Sequence, residues 1–227
     1  MHRQHAQLVG FVALEARSRH PLLPLRVVLH RNRGGSFLVS VLLGAGMMGM
    51  FLFMTYYFQG TLHYSPLRSG IAYLPFSFAL IITAVVASGL LPRVGPRAMM
   101  TVGGMMATGA MIWLTLLRID SSYPALILPA LVIMAVGMAL VFVPLGNTSL
   151  SGVDNHDAGV ASAMLNTTQQ IGGSLGVALL NTVFTTATTS YINTHGPAEA
   201  ALGVVHGYNV AFTVSAALLA TSTVIIF

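Results

Sequence analysis

The 227-residue chain contains no cysteine and no lysine. The first absence removes disulfides, thiolate nucleophiles and cysteine-ligated zinc. The second leaves arginine as the whole basic complement: ten arginines stand against five acidic residues, for a formal net charge of +5. Charge of either sign is scarce, at 7% of residues, where an ordinary soluble domain carries about 25%. Hydrophobic residues make up 55%, and the mean hydropathy is +0.80. A chain this apolar cannot cover a water-facing exterior with polar groups, so the composition points to an integral membrane protein. The basic balance does not read as nucleic-acid binding, because the arginines are scattered over connecting segments and form no stripe interleaved with aromatics. Nor does the polar start, Met1-His2-Arg3-Gln4-His5 with a short apolar run at 8–14, have the form of a secretory signal.

A bilayer core about 30 Å thick needs roughly 20 apolar residues of helix. Six stretches qualify, near 36–59, 70–91, 98–117, 124–146, 158–187 and 205–227, and none carries a charge in its interior. The runs are continuously apolar, where barrel strands alternate over about 10 residues, so the expected fold is all-α. The fifth stretch exceeds what a span needs, and its ends are expected to leave the hydrocarbon. The connectors are short, except for residues 1–35 and 188–204. With the N-terminal segment in the cytoplasm, Arg3, Arg17, Arg19, Arg26, Arg31, Arg33, Arg93 and Arg97 are inside and only Arg68 and Arg118 outside. That bias predicts a multi-pass protein with both chain ends cytoplasmic.

The stretch "GAGMMGM" at 44–50 matches the dinucleotide fingerprint literally. The fingerprint needs a preceding strand, a helix opening at the glycines and an acidic residue about 20 positions on. None is present, since Gly44, Gly46 and Gly49 sit inside the first apolar run. Small residues at such depth let neighbouring helices approach. Gly44 and Gly46 point about 200° apart at 100° per residue, so they are expected to serve different neighbours.

Other candidate residues have two readings each. In the fifth stretch, "GVASAMLNTTQQIGGSLGVALLNTVF", Asn166, Gln170, Gly173, Ser174, Val177 and Asn181 share a sector of roughly 100°, with Gln169 beside it. A polar stripe in lipid must face other helices or a water-filled path. It is therefore either a substrate pathway facing the bundle interior or interhelical glue, with Gly172, Gly173 and Gly176 as close-packing positions. Gly137 and Pro144 in the fourth stretch are a hinge or tolerated packing residues. Met50, Phe53 and Tyr57 share one face of the first stretch and are either one wall of an adaptable apolar pocket or plain core. Asp154 and Asp157 precede the fifth stretch, where carboxylates cap helices or form a proton or cation site. The eight histidines include no zinc-protease pair and no catalytic constellation is legible, so neither an enzyme nor a metal or cofactor site is expected.

The connector "SGLLPRVGPRAMM" resembles the loop signature of the major facilitator superfamily, G-x-x-x-D-R-x-G-R-R. Arg93, Gly95 and Arg97 match, while Pro92 stands at the acidic position and Ser88 at the leading glycine. The stretches "LHYSPLRSGIAYLP" and "GMALVFVPLGNTSLSGVDNHDAGVASAMLNTTQQIGGSLGVALLNTVF" look like the fourteen-helix drug:proton antiporters, and "EARSRHPLLPLRV" resembles their cytoplasmic linker. The resemblance implies a chain that supplies the last six helices of such a transporter: a linker with a remnant of a preceding helix over 1–35, then a six-helix bundle over 36–227. It implies multidrug export by proton antiport and alternating access, in the plasma membrane. The implied partners are the lipid bilayer, an N-terminal transporter half, amphipathic or cationic small molecules and protons. The family's coupling carboxylate lies mainly in the other half, so this chain is expected to be inactive alone. The alternative is a structural or regulatory membrane subunit that pairs with another chain and transports nothing.

Overall fold

The computed structural model describes residues 31–150 and 158–226. The elements are α1 (Arg31–Tyr56), extended by a π-helical turn (Tyr57–Thr61), then α2 (Pro66–Ala72), α3 (Leu74–Val94) and α4 (Pro96–Leu114). A second π-helical turn (Tyr123–Ile127) leads into α5 (Leu128–Leu150), followed by α6 (Ala158–His195) and α7 (Ala200–Ile226). No strand occurs among the described residues. The six apolar stretches are thus α1, α2 with α3, α4, α5, α6 and α7, and the fold is an all-α membrane bundle.

Five of these stretches are long and apolar enough to cross a bilayer. The remaining one, α4, has 19 residues and includes Arg97, Gly103, Gly104 and Gly109. Its small residues trade hydrophobicity for closeness. A Cβ added at Gly103 would lie 2.6 Å from the Gly137 carbonyl oxygen, and one at Gly137 equally close to that of Gly103. Gly104 is pressed against the side chain of Thr223 on α7. Wedged between α5 and α7, α4 is held by backbone approach, the usual device where lipid gives no hydrophobic drive between helices.

Two boundaries differ from the sequence expectation. Residues 31–35, expected in the linker, already belong to α1. The expected connector over 188–204 is largely helix, because α6 runs on to His195 and only four residues separate it from α7. Threonine and serine are weak helix formers in isolation, but here they bond back to their own helix. Thr185 donates to the Asn181 carbonyl at 2.9 Å and Thr194 to that of Ser190 at 2.8 Å. Gly196, at φ 93°, then ends the helix.

Around the bundle α1 packs on α6 and α7, α4 on α5 and α7, and α3 on α5 almost alone. The α2–α3 stretch and α6 are therefore flanking elements, the two least buried of the spans. The core is centred on α1. Phe53 meets Phe212 edge to face at 6.4 Å and Phe184 at 5.4 Å, while Phe184 stacks on Tyr208 at 5.0 Å. Offset and edge-to-face aromatic pairs of this kind contribute about 0.5–1.5 kcal/mol each beyond area burial.

Candidate functional site

The glycines of "GAGMMGM" do what their spacing predicts. Gly44 lies against the backbone of Gln169 on α6, whereas Gly46 faces α7, where an added Cβ would be 2.8 Å from Leu219. The opposed directions of the two glycines let α1 sit between α6 and α7. From the α6 side, Gly172 meets the backbone of Val41, Gly176 that of Ala45, and Gly173 the side chain of Met48. The glycine contact has a consequence for the polar residues of α6. At 100° per residue, Gly172, Gly173 and Gly176 lie roughly 240–340° round from Asn166. Packing that side on α1 turns Asn166, Gln170, Ser174 and Asn181 outward, and all four are exposed.

That outward placement corrects the expectation that the stripe faces the interior of the six-helix bundle. It does not glue described helices either: Asn166 donates to the Ser162 carbonyl at 3.0 Å and Ser174 to that of Gln170 at 2.9 Å, both within α6. Of the stripe as expected, Gly173 alone joins the packed face. A third face of α6 carries Ile171, Leu175 and Leu179, all about half exposed.

Where α6 leaves the glycine contact, a recess of about 130 Å³ opens between α1, α5 and α6. It is lined by Gly44, Met47, Met48, Phe142, Asn166, Gln169 and Gln170. The structure thus brings together three of the sequence-predicted pathway residues, Asn166, Gln169 and Gln170. Phe142 was missed. Its signal was its place two residues before Pro144 on the helix already singled out, but nothing in the α5 sequence says which side of the helix meets α6. Among the described residues no charged side chain lines the recess.

Met50, Phe53 and Tyr57, expected on a pathway wall, are fully buried. Their face of α1 is covered by the aromatic side chains of α6 and α7, so within this bundle they are core, a correction that follows from α1 being its most central helix. Asn181 remains on the exposed stripe, beyond the recess. Gly137 is a packing residue against α4, and Pro144 lies inside an uninterrupted α5. Asp154, Asp157 and residues 1–30 lie outside the described residues.

The loop motif has a conformational centre. Gly95 adopts φ 83°, ψ 155°, ending α3 and leading directly into α4 with Pro96 at its first position. Its N–H donates to the Leu91 carbonyl at 3.0 Å. Arg93 and Arg97 flank this corner, and both are exposed.

Sequence reasoning also missed a set of side-chain-to-backbone bonds at the opposite end of the bundle. Tyr73 donates to the Phe51 carbonyl at 3.0 Å, Tyr123 to that of Ala72 at 2.6 Å, and Asn209 to that of Leu117 at 3.1 Å. Tyr57 donates to the Arg118 carbonyl. The carbonyls of Ala72, Leu117 and Arg118 lie at or just past helix ends, where intrahelical partners run out, while that of Phe51 lies inside α1; together the bonds connect α1, α4, α5, α7 and the α2–α3 pair. Nearby, Tyr191 stacks on His195 at 4.1 Å and donates to Glu199 at 3.3 Å. Among the described residues no group of three or more His, Cys, Asp or Glu side chains is placed to hold a metal.

Comparison with known proteins gives these features a context. Residues 3–177 match the model of the Major Facilitator Superfamily. A puromycin resistance protein of Streptomyces alboniger is 44% identical over 224 residues, 96% of this chain and 44% of that protein. A cephamycin export protein of Amycolatopsis lactamdurans is 34% identical over 196 residues, 86% of this chain and 39% of that protein. A tetracenomycin C resistance and export protein of Streptomyces glaucescens is 32% identical over 172 residues, 75% of this chain and 32% of that protein. The chain thus spans less than half the length of these relatives. Among solved structures, a bacterial homologue of the human drug peptide transporters superposes with a TM-score of 0.70 over 86% of this chain and 41% of that one, at 14% identity, a likeness of fold. A glycine-packed all-α bundle, a loop with the Arg-x-Gly-x-Arg corner, the family match and these relatives agree: the chain belongs to the major facilitator superfamily.

Proposed function

We propose that this chain forms one six-helix bundle of a plasma-membrane exporter that moves antibiotic-like small molecules outward in exchange for protons, with both chain ends in the cytoplasm. The observation that carries the reading is the polar stripe of α6. Asn166, Gln170, Ser174 and Asn181 are exposed along one face of α6, on the outside of the bundle. Hydrocarbon does not tolerate such a row, so it is covered by a second bundle or lines a water-filled path. The recess opens beside that same stripe, which is where a substrate held between two bundles would lie in alternating access. The curated relatives, named for antibiotic resistance and export, support a substrate of that kind.

The test uses the full-length transporter in a host stripped of its own efflux pumps. Export predicts a raised inhibitory concentration for puromycin or another of the antibiotics named above. It also predicts drug accumulation in inside-out vesicles that a protonophore abolishes. Correctly inserted protein that changes neither resistance nor accumulation would overturn the reading.

A further inference from the structure

We propose that the recess between α1, α5 and α6 is a subsite for the uncharged, planar, hydrogen-bonding end of a substrate, and that its lining does not read the substrate's positive charge. The inference rests on the export reading above and concerns which part of the molecule this chain holds. Size comes first. A drug-sized ligand occupies a pocket of about 300–1,000 Å³, whereas this recess offers about 130 Å³. A cavity of roughly 150 Å³ takes one benzene ring. The recess therefore accepts a single ring with small substituents, and the remainder of a larger substrate must lie outside it.

The lining decides what kind of ring. Met47, Met48 and Phe142 supply the apolar part: thioethers adapt to aromatic edges, and a phenyl face or edge pairs with another ring. Asn166, Gln169 and Gln170 supply the polar part. One N–H of the Asn166 amide is engaged with the Ser162 carbonyl, which leaves its second N–H and its carbonyl oxygen. The side-chain amides of Gln169 and Gln170 make no hydrogen bond to another described residue, so each offers both a donor and an acceptor. Gly44 fixes the floor, because α1 can touch the Gln169 backbone only where no Cβ intervenes.

Amides recognise a ring that carries donors and acceptors. They do not neutralise a cation, and a positive charge drawn out of water without a counter-charge is disfavoured. With no Asp or Glu among the described residues of the lining, a cationic substrate would place its charge elsewhere and insert its neutral end here.

The experiment compares two probes on the full-length transporter: one fluorophore tagged with a benzamide and the same fluorophore tagged with a trimethylanilinium group. Loss of one hydrogen bond corresponds to a factor of about 3–10. Gln170→Leu is therefore expected to raise the half-saturating concentration of the benzamide probe by about that factor and to leave that of the trimethylanilinium probe within about twofold, the scatter of a lost surface contact. Gln170→Glu should reverse the preference in favour of the cation. Equal shifts for both probes, or a larger loss for the cation, would overturn the subsite. A measurement independent of transport uses a cysteine-free version of the full-length transporter: Met48→Cys, on the lining and leaving the three amides in place, should be shielded from maleimide by the benzamide probe and not by its cationic twin, and equal shielding would also refute it. A wild-type transporter that moves neither probe nor any antibiotic indicts the export reading; one that moves antibiotics without this discrimination indicts the subsite alone.

Discussion

Gly95 and Gly176 are the same residue type under different constraints, and substitution separates them. Gly95 has the backbone φ 83°, ψ 155°, a region that is essentially glycine-only and costs any other residue about 1–3 kcal/mol. Gly95→Ala is expected to lower stability by that amount although no atom lies near an added Cβ, and thermal unfolding in detergent would read it. Gly176 has ordinary helical geometry but lies against the backbone of Ala45. Gly176→Ala should gain up to about 1 kcal/mol of helix propensity and lose more, about 1–3 kcal/mol, to overpacking, with α1 and α6 separating. Gly109 is the control: it is helical, exposed and has open space around it, so Gly109→Ala should be neutral or stabilising by up to about 1 kcal/mol. A Gly176→Ala protein as stable as the Gly109→Ala protein would show that the α1–α6 contact is looser than its backbone approach implies.

At the scale of the element, α6 has three faces: glycines toward α1, amides and hydroxyls outward, and Ile171, Leu175 and Leu179 on the side between. With 38 residues it is about 57 Å long at 1.5 Å per residue, well beyond a hydrocarbon core of about 30 Å. Since this chain brings no cysteine of its own, a full-length transporter cleared of any other cysteines makes its surroundings measurable. Single cysteines at Asn166, Gln170, Ser174 and Asn181 in the full-length transporter are expected to react with a water-soluble maleimide, and those at Ile171, Leu175 and Leu179 to be protected by lipid. Uniform protection would remove the aqueous path from the proposal. Much of this helix was legible in its sequence, because amides and small residues repeat at helical spacing. What the sequence could not supply was the sense of rotation: a polar stripe in lipid must avoid lipid, but an inward and an outward face satisfy that rule equally once a second bundle is admitted. The glycines held the answer, since backbone contact with α1 fixes which side is in. The same reasoning covers Met50, Phe53 and Tyr57, whose common face was evident and whose burial depended on α1 being central. Phe142 and the tyrosine-to-carbonyl bonds were illegible because each joins residues distant in sequence, and no periodicity along one helix reports its partner.

For the whole molecule, charge decides both orientation and what the bundle can do alone. The arginine distribution predicts that Ser65, between the first π-helical turn and α2, lies outside, so a cysteine there should label in intact cells with an impermeant reagent; labelling only after permeabilisation would invert the topology. Charge is also what coupling requires. A proton gradient does work through a group that changes charge within the membrane, and the acidic residues of this chain are Glu15, Asp120, Asp154, Asp157 and Glu199. Of the two among described residues, Asp120 lies in the connection after α4 and Glu199 in the short turn before α7, and neither lines the recess. Alternating access adds a mechanical requirement, a second bundle to move against, and under the proposal the exposed stripe of α6 faces it. The chain by itself is therefore expected to carry out no coupled transport. Reconstituted alone in liposomes with an imposed pH gradient, it should move ethidium no faster than empty vesicles do. Gradient-dependent dye movement that a protonophore abolishes would overturn this, and would mean that two copies meet through their α6 stripes and find in Asp120, Glu199 or the undescribed carboxylates the titrating group that the spans lack.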